Sequence, residues 1–168
     1  YDVIAEMLVL NHLYDKEKVV KWNAISRGTH DIETKNGDYE VKSTIKRYGY
    51  QVTISSQFQL ENNGELKLIF IRLEEAQDGY SINDLVKKLV LKGYSKDQIE
   101  KELKTIGLEK GRSVRNDKYE VLESKEYTVN EKFPMITPNS FVGGKIPANI
   151  EEIVYTINLS SLQSKRFL

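Results

Sequence analysis

The stretch His30-Asp31-Ile32-Glu33-Thr34-Lys35-Asn36-Gly37-Asp38-Tyr39-Glu40-Val41-Lys42-Ser43-Thr44 carries most of what the sequence says about the fold. At its centre, Asn36-Gly37 is the dipeptide that favours a tight type I′ turn, because both central positions of that turn need positive φ. The flanking runs His30 to Lys35 and Asp38 to Thr44 therefore read as an antiparallel hairpin. A turn centred on Asn36 and Gly37 pairs Asp31 with Lys42 and Glu33 with Glu40. Side chains alternate faces along a strand, so these four charged residues share one face while Ile32 and Val41 share the other. One face belongs to a core and the opposite face to chemistry.

Upstream, Asp2 to Tyr14 reads as a helix with apolar residues on nearly every side, the pattern of a buried helix. Glu6 falls between Leu10 and Leu13 on that wheel, which sets a carboxylate among core side chains; fraying of a terminus is the plainer account. Downstream, Tyr50 to Ser56 alternates apolar and polar residues as a third strand, and Leu66 to Leu73 is nearly continuous apolar chain, as in a central strand covered on both sides. Ser81 opens an amphipathic run that stops at Gly93, and Ser95 with Gln98 makes a capping box for a run that stops at Gly107. This pair at 81–107 is expected to be a helical insertion. Followed by the strand-like Lys118 to Val129, it also suits a helix-turn-helix with a wing. Glu152 to Ile157 reads as a further strand and Leu159 onward as a polar tail. The order of elements predicts an α/β or α+β fold, a mixed central sheet flanked by helices.

A chain of 168 residues suits a single domain, residues 1–168. Lys and Arg number 25 and Asp and Glu 25, so any contact with a polyanion must come from local patches. With no cysteine, disulfides, thiolate-held zinc, iron-sulfur clusters and thiol nucleophiles are excluded. Only His12 and His30 remain, so any metal is expected to be a hard cation held by carboxylates. The longest apolar runs, Met7 to Leu10 and Leu68 to Ile71, fall far short of the roughly 18 residues that cross a bilayer. A soluble, cytoplasmic protein with no membrane partner is expected.

Asp31, Glu40 and Lys42 form the pattern D-x8-E-x-K. Two carboxylates brought together across a hairpin repel unless a cation joins them, and Mg2+ accepts such a pair while keeping several waters. A lysine on the same face can orient or help deprotonate a bound water and neutralise charge developing on a phosphate. E-x-K occurs five times in the chain, at Glu33, Glu40, Glu65, Glu102 and Glu123. Only the Glu40 copy lies on an expected strand opposite an aspartate, with Glu33 and Lys35 as a rival pair. The bland alternative is a solvated ladder of cross-strand ion pairs worth under about 1 kcal/mol.

The run Trp22 to Leu60, with His30-Asp31-Ile32, Glu40-Val41-Lys42-Ser43-Thr44 and Ile54-Ser55-Ser56, resembles the PD-(D/E)XK nuclease superfamily. More narrowly, it is similar to a prokaryotic PD-(D/E)XK family of unknown function often encoded beside restriction-modification genes. The likeness continues through Gly79-Tyr80-Ser81, Phe133-Pro134 and Val154 to Leu159. It implies a restriction-endonuclease-like core and cleavage of DNA phosphodiesters with Mg2+, which Mn2+ can replace. Asp31 and Glu40 would be metal ligands, Lys42 the catalytic lysine, and Glu6 an extra ligand from the first helix. The superfamily's proline before the aspartate is replaced by His30. Members tend to have an additional N-terminal region, and this chain begins with Tyr1, so the expectation is the C-terminal part of a longer polypeptide.

Candidate DNA contacts follow from local charge. No acid occurs from Val41 to Leu60, where Lys42, Lys46 and Arg47 lie near Tyr48 and Tyr50; a second cluster holds Lys110, Arg112, Arg115 and Lys118. Ser55 and Gln57 share the polar side of the third strand and are candidates to orient a metal-bound water. The expected activity is a metal-dependent DNA endonuclease of restriction or anti-phage defence. Its partners would be DNA and other proteins of such a system, with a homodimer as a further option. The alternatives are a catalytically inactive DNA-binding or assembly module of the same fold, or an unrelated metal-dependent hydrolase of a small phosphoester.

Overall fold

The computed structural model describes residues 1–17, 20–25, 30–61 and 64–168. The hairpin forms, but its register is shifted by two residues. Strand β2 (Ile32–Thr34) pairs with β3 (Gly37–Thr44) as Ile32 with Tyr39, Glu33 with Asp38 and Thr34 with Gly37. Lys35 and Asn36, not Asn36 and Gly37, therefore occupy the turn. Thr34 closes it, its hydroxyl donating to Gly37 O at 2.8 Å and accepting from Asn36 N at 3.1 Å. Gly37 begins the strand instead, at φ +141, where a Cβ would stand 2.6 Å from Glu65 O. Only glycine allows that approach. A two-residue slip preserves parity, so the division into a charged face and an apolar face survives.

Six strands form a mixed sheet in the order β1-β2-β3-β5-β6-β8. The edge strand β1 (Val20–Trp22), not anticipated from sequence, is antiparallel to β2. Strand β5 (Leu66–Tyr80) runs parallel to β3 and antiparallel to β6 (Tyr119–Val129), which carries the short β8 (Lys165–Arg166) inside the expected polar tail. Because β6 is built into the main sheet, it is not the wing of a helix-turn-helix.

Strand β5 is covered on both sides, as its apolar run requires. Its Ile69, Ile71 and Leu73 face a core made with helix α1 (Asp2–Lys16), α2 (Ile82–Leu91) and α3 (Lys96–Thr105). Leu66, Leu68 and Phe70 face a second core beneath a separate two-stranded sheet, β4 (Gln51–Ile54) with β7 (Tyr155–Asn158). The connection from β3 to its parallel neighbour β5 thus passes through β4 in that second layer. Helix α1 buries Ile4, Ala5, Met7, Leu8, Val9, Leu10 and Leu13. At about 1.5–3 kcal/mol for each large apolar side chain removed from water, this burial outweighs the cost of one enclosed carboxylate, Glu6. Ser81 caps α2 in a reciprocal box with Asp84, and Ser95 Oγ accepts from Gln98 N at the start of α3.

Candidate active site

Glu40 and Lys42 share the face of β3 that looks toward β4, in line with Leu68 and Phe70 of β5. Carrying the observed register one step further sets Asp31 level with Glu40 rather than with Lys42. Asp31 Oδ2 accepts from Val41 N at 2.7 Å, which pins that carboxylate beside the strand. Glu6 arrives from α1, and the four side chains line one cleft of about 500 Å³ with Lys46, Tyr48 and Ser55.

Glu40 is fully buried. Its Oε1 lies 2.9 Å from Lys42 Nζ in an ion pair, and among the described residues Oε2 has no hydrogen-bond partner. Burial pushes its carboxyl up to about 8; the Asp31 charge adds to the rise and Lys42 opposes it. Glu6 is also held well above the usual carboxylate range, first by burial and then by the Asp31 charge, with Glu40 adding a smaller push. The Trp22 indole, which donates to Glu6 Oε2 at 2.8 Å, works the other way. The Asp31 charge thus raises both glutamates, and Asp31 with Glu40, one oxygen of which is buried and orphaned, forms a hard-oxygen donor pair that a divalent cation would neutralise. Among the described residues no three acidic or histidine side chains converge closely enough to enclose an ion, so the arrangement is a carboxylate pair with Glu6 turned toward Trp22.

Lys42 is fixed on its other side by a residue that sequence reasoning missed. Its Nζ donates to Gln59 Oε1 at 3.0 Å, and the same oxygen accepts from Ser55 N at 2.8 Å. Two donors on one atom identify it as the amide oxygen, leaving Nε2 as a donor on a residue that lines the cleft. Gln57, the expected candidate, does not reach the cleft. Its Oε1 accepts from Ile153 N at 2.9 Å and it is buried, so it pins the segment before β7. Ser55 lines the cleft. Of the rival pair, Glu33 is engaged elsewhere, accepting from Asn23 Nδ2 at 2.8 Å and facing Lys21.

The basic candidates divide. Lys46 and the exposed Tyr48 line the cleft, whereas Arg47 turns aside to pair with Glu74 at 2.7 Å. The turn that carries them is tied down by Arg72 of β5, buried against the Tyr50 and Phe70 rings, whose guanidinium donates to Lys46 O and Gly49 O. Arg112 is exposed and lines no part of this cleft. Arg115 is no surface contact at all: it is 1 % exposed and held by Glu100 through two bonds of 2.7 and 2.9 Å. His30 places Nδ1 3.1 Å from Asp38 Oδ2, a tie between the two strands just before Asp31.

A mixed sheet with helices packed against it, carrying an aspartate, a buried glutamate and a lysine on adjacent strands beside a cleft, is the PD-(D/E)XK class of fold. The family model described as "Putative PD-(D/E)XK family member (DUF4420)" matches residues 3–160, and the chain belongs to that family. Comparison with curated proteins and with solved structures gives no match. No helix among the described residues is long and apolar enough to cross a membrane.

Proposed function

We propose that this chain is a metal-dependent DNA endonuclease that hydrolyses phosphodiesters in restriction or anti-phage defence inside the cell. The observation that carries the reading is Glu40: a fully buried carboxylate with an orphaned oxygen, destabilised by Asp31 and flanked by Lys42. Asp31 and Glu40 would hold Mg2+ or Mn2+, and Glu6 would join as a further ligand only by exchanging its Trp22 bond for the ion. When bound, the ion supplies positive charge to phosphate oxygens and lowers the pKa of a bound water. Lys42, held between Glu40 and Gln59, presents its ammonium to the cleft, where Nζ–H can donate to a phosphate oxygen as negative charge grows there. Gln59 Nε2 is a second donor on the same wall. Lys46 and Tyr48 at the mouth suit a phosphate and an unstacked base. The α2–α3 segment is read as an insertion into this single nuclease domain.

The test is cleavage of supercoiled plasmid with Mg2+ or Mn2+ and with EDTA. The parent should cut only with metal, and Asp31→Ala, Glu40→Ala and Lys42→Ala should each reduce cutting by at least about a hundredfold, the scale of losing one charge-stabilising group. A folded parent that binds DNA but never cuts it would identify the inactive DNA-binding module instead. Cutting of a small chromogenic phosphodiester without DNA cleavage would identify the hydrolase of small phosphoesters.

A further inference from the structure

A second concave surface, of about 390 Å³, lies between α2, α3 and the turn before β6, and shares no lining residue with the cleft. Its rim carries Lys87 on α2, Lys96 at the start of α3, and Lys110 and Lys118 on the chain leading into β6. All four are exposed, and among the described residues none has a carboxylate within ion-pairing distance. The two acids in the groove are both committed internally. Asp84 closes the capping box on Ser81, with Ser81 Oγ donating to its Oδ2 at 2.6 Å, and Glu100 is clasped by Arg115. Both carboxyls are held below their ordinary values, Asp84 chiefly by the Ser81 bond and Glu100 chiefly by the Arg115 bond, with the nearby lysines adding to the effect. Five basic residues against two acids leave the groove three charges positive on a chain whose net charge is zero. Arg115 supplies the floor: buried, and bonded also to Asn83 Oδ1 and Leu108 O, it holds α2, α3 and the turn together under the lysines.

The composition of the wall selects the partner. Val86 is the one apolar residue lining the groove among the described residues, and it is buried; the apolar sides of α2 and α3 are spent on the core. A protein partner would need aromatic or aliphatic anchors. A membrane would need an exposed apolar face beside the charges. Separated lysines on several elements with little else between them instead match a polymer that repeats its negative charge. We propose that this groove is a second DNA-backbone site, gripping phosphates of the duplex away from the cleft without reading sequence. This rests on the reading that DNA is the substrate.

The experiment is binding of the full chain in EDTA to a labelled duplex of about 30 base pairs across a salt series, for the parent and for Lys87→Gln/Lys96→Gln/Lys110→Gln/Lys118→Gln. At about 0.9 per phosphate contact, the slope of log affinity against log salt should fall by up to about 3.6 in the variant, with its melting temperature unchanged. An unchanged slope, or a parent that does not bind the duplex at low salt, overturns the proposal. Cleavage is scored separately. A chain whose slope responds to these lysines yet cuts nothing keeps the groove and loses the nuclease reading, while a chain that cuts with an unresponsive slope does the reverse.

Discussion

Trp22 donates its indole N–H to Glu6 Oε2 at 2.8 Å, and this bond joins the edge strand β1 to a carboxylate that α1 brings into the cleft. Trp22 is 2 % exposed, so the donor itself is shielded from water.

Trp22→Phe keeps most of the apolar volume but leaves Glu6 without that partner, so it should cost about 1–3 kcal/mol near neutral pH. Glu6→Gln, which removes the charge that needs the bond, should be milder. The two residues touch, so a double-mutant cycle by urea melting should give a coupling energy of at least about 0.5 kcal/mol. Additive losses would mean that Trp22 serves packing alone.

Glu40 makes the metal-free protein's stability depend on pH. A carboxyl whose folded pKa lies near 8 keeps a proton that the unfolded chain has lost above about 4.5. Stability should therefore be full below the unfolded value, decline as pH rises from about 4.5 to about 8, and level off beyond. Melting in EDTA should show a higher transition at pH 5 than at pH 8.5, and Glu40→Gln should flatten the difference. Mg2+, which requires the ionised acids, should raise the melting temperature more at pH 8.5 than at pH 5.

Gln59 and Gln57 offer a matched contrast. Gln59→Ala releases Lys42 and removes a donor from the cleft wall, so kcat should fall by about tenfold or more with little change in melting, as expected for about 1.4 kcal/mol of barrier. Gln57→Ala removes a buried side chain and the partner of the half-buried Ile153 N, and should cost about 1 kcal/mol of stability. Where that protein remains folded, its kcat should stay near the parent's. Reversed outcomes would mean that the two glutamines have been assigned the wrong way round.

Arg115→Ala should destabilise the chain by about 3 kcal/mol, toward the low end for a broken buried pair because Glu100 is partly exposed and can rehydrate. Urea melting measures the loss. A variant as stable as the parent would contradict the bracing role.

What was legible in the sequence was parity, and what was hidden was distance. The alternation in Asp31 to Lys42 identified the charged face of the hairpin although the turn was misplaced. The misplacement arose because Gly37 is needed for its close approach to Glu65, a contact with a residue far along the chain. Helix ends at Ser81, Gly93, Ser95 and Gly107 were readable because caps are local. Strand β1 has three residues and no alternation to read. Arg115 looked like one more base in a basic cluster; only the fold shows that Glu100 reaches back to bury it. Gln59 and Arg72 act through contacts made by turns, where no periodicity announces a role.

The pairing of β4 with β7 sets the order in which the cleft can be completed. Val52 finds Ile157, more than a hundred residues later, as its strand partner, whereas Glu6, Asp31, Glu40 and Lys42 all lie within the first quarter of the chain. Closing so long a loop is slow relative to forming the hairpin. During synthesis the acids and the lysine therefore emerge long before the strand that anchors the wall facing them, and Ser55 and Gln59, though they follow closely, have no stable seat until β7 has left the ribosome. A nascent chain of this protein carries its reactive groups long before it can hold them in working order.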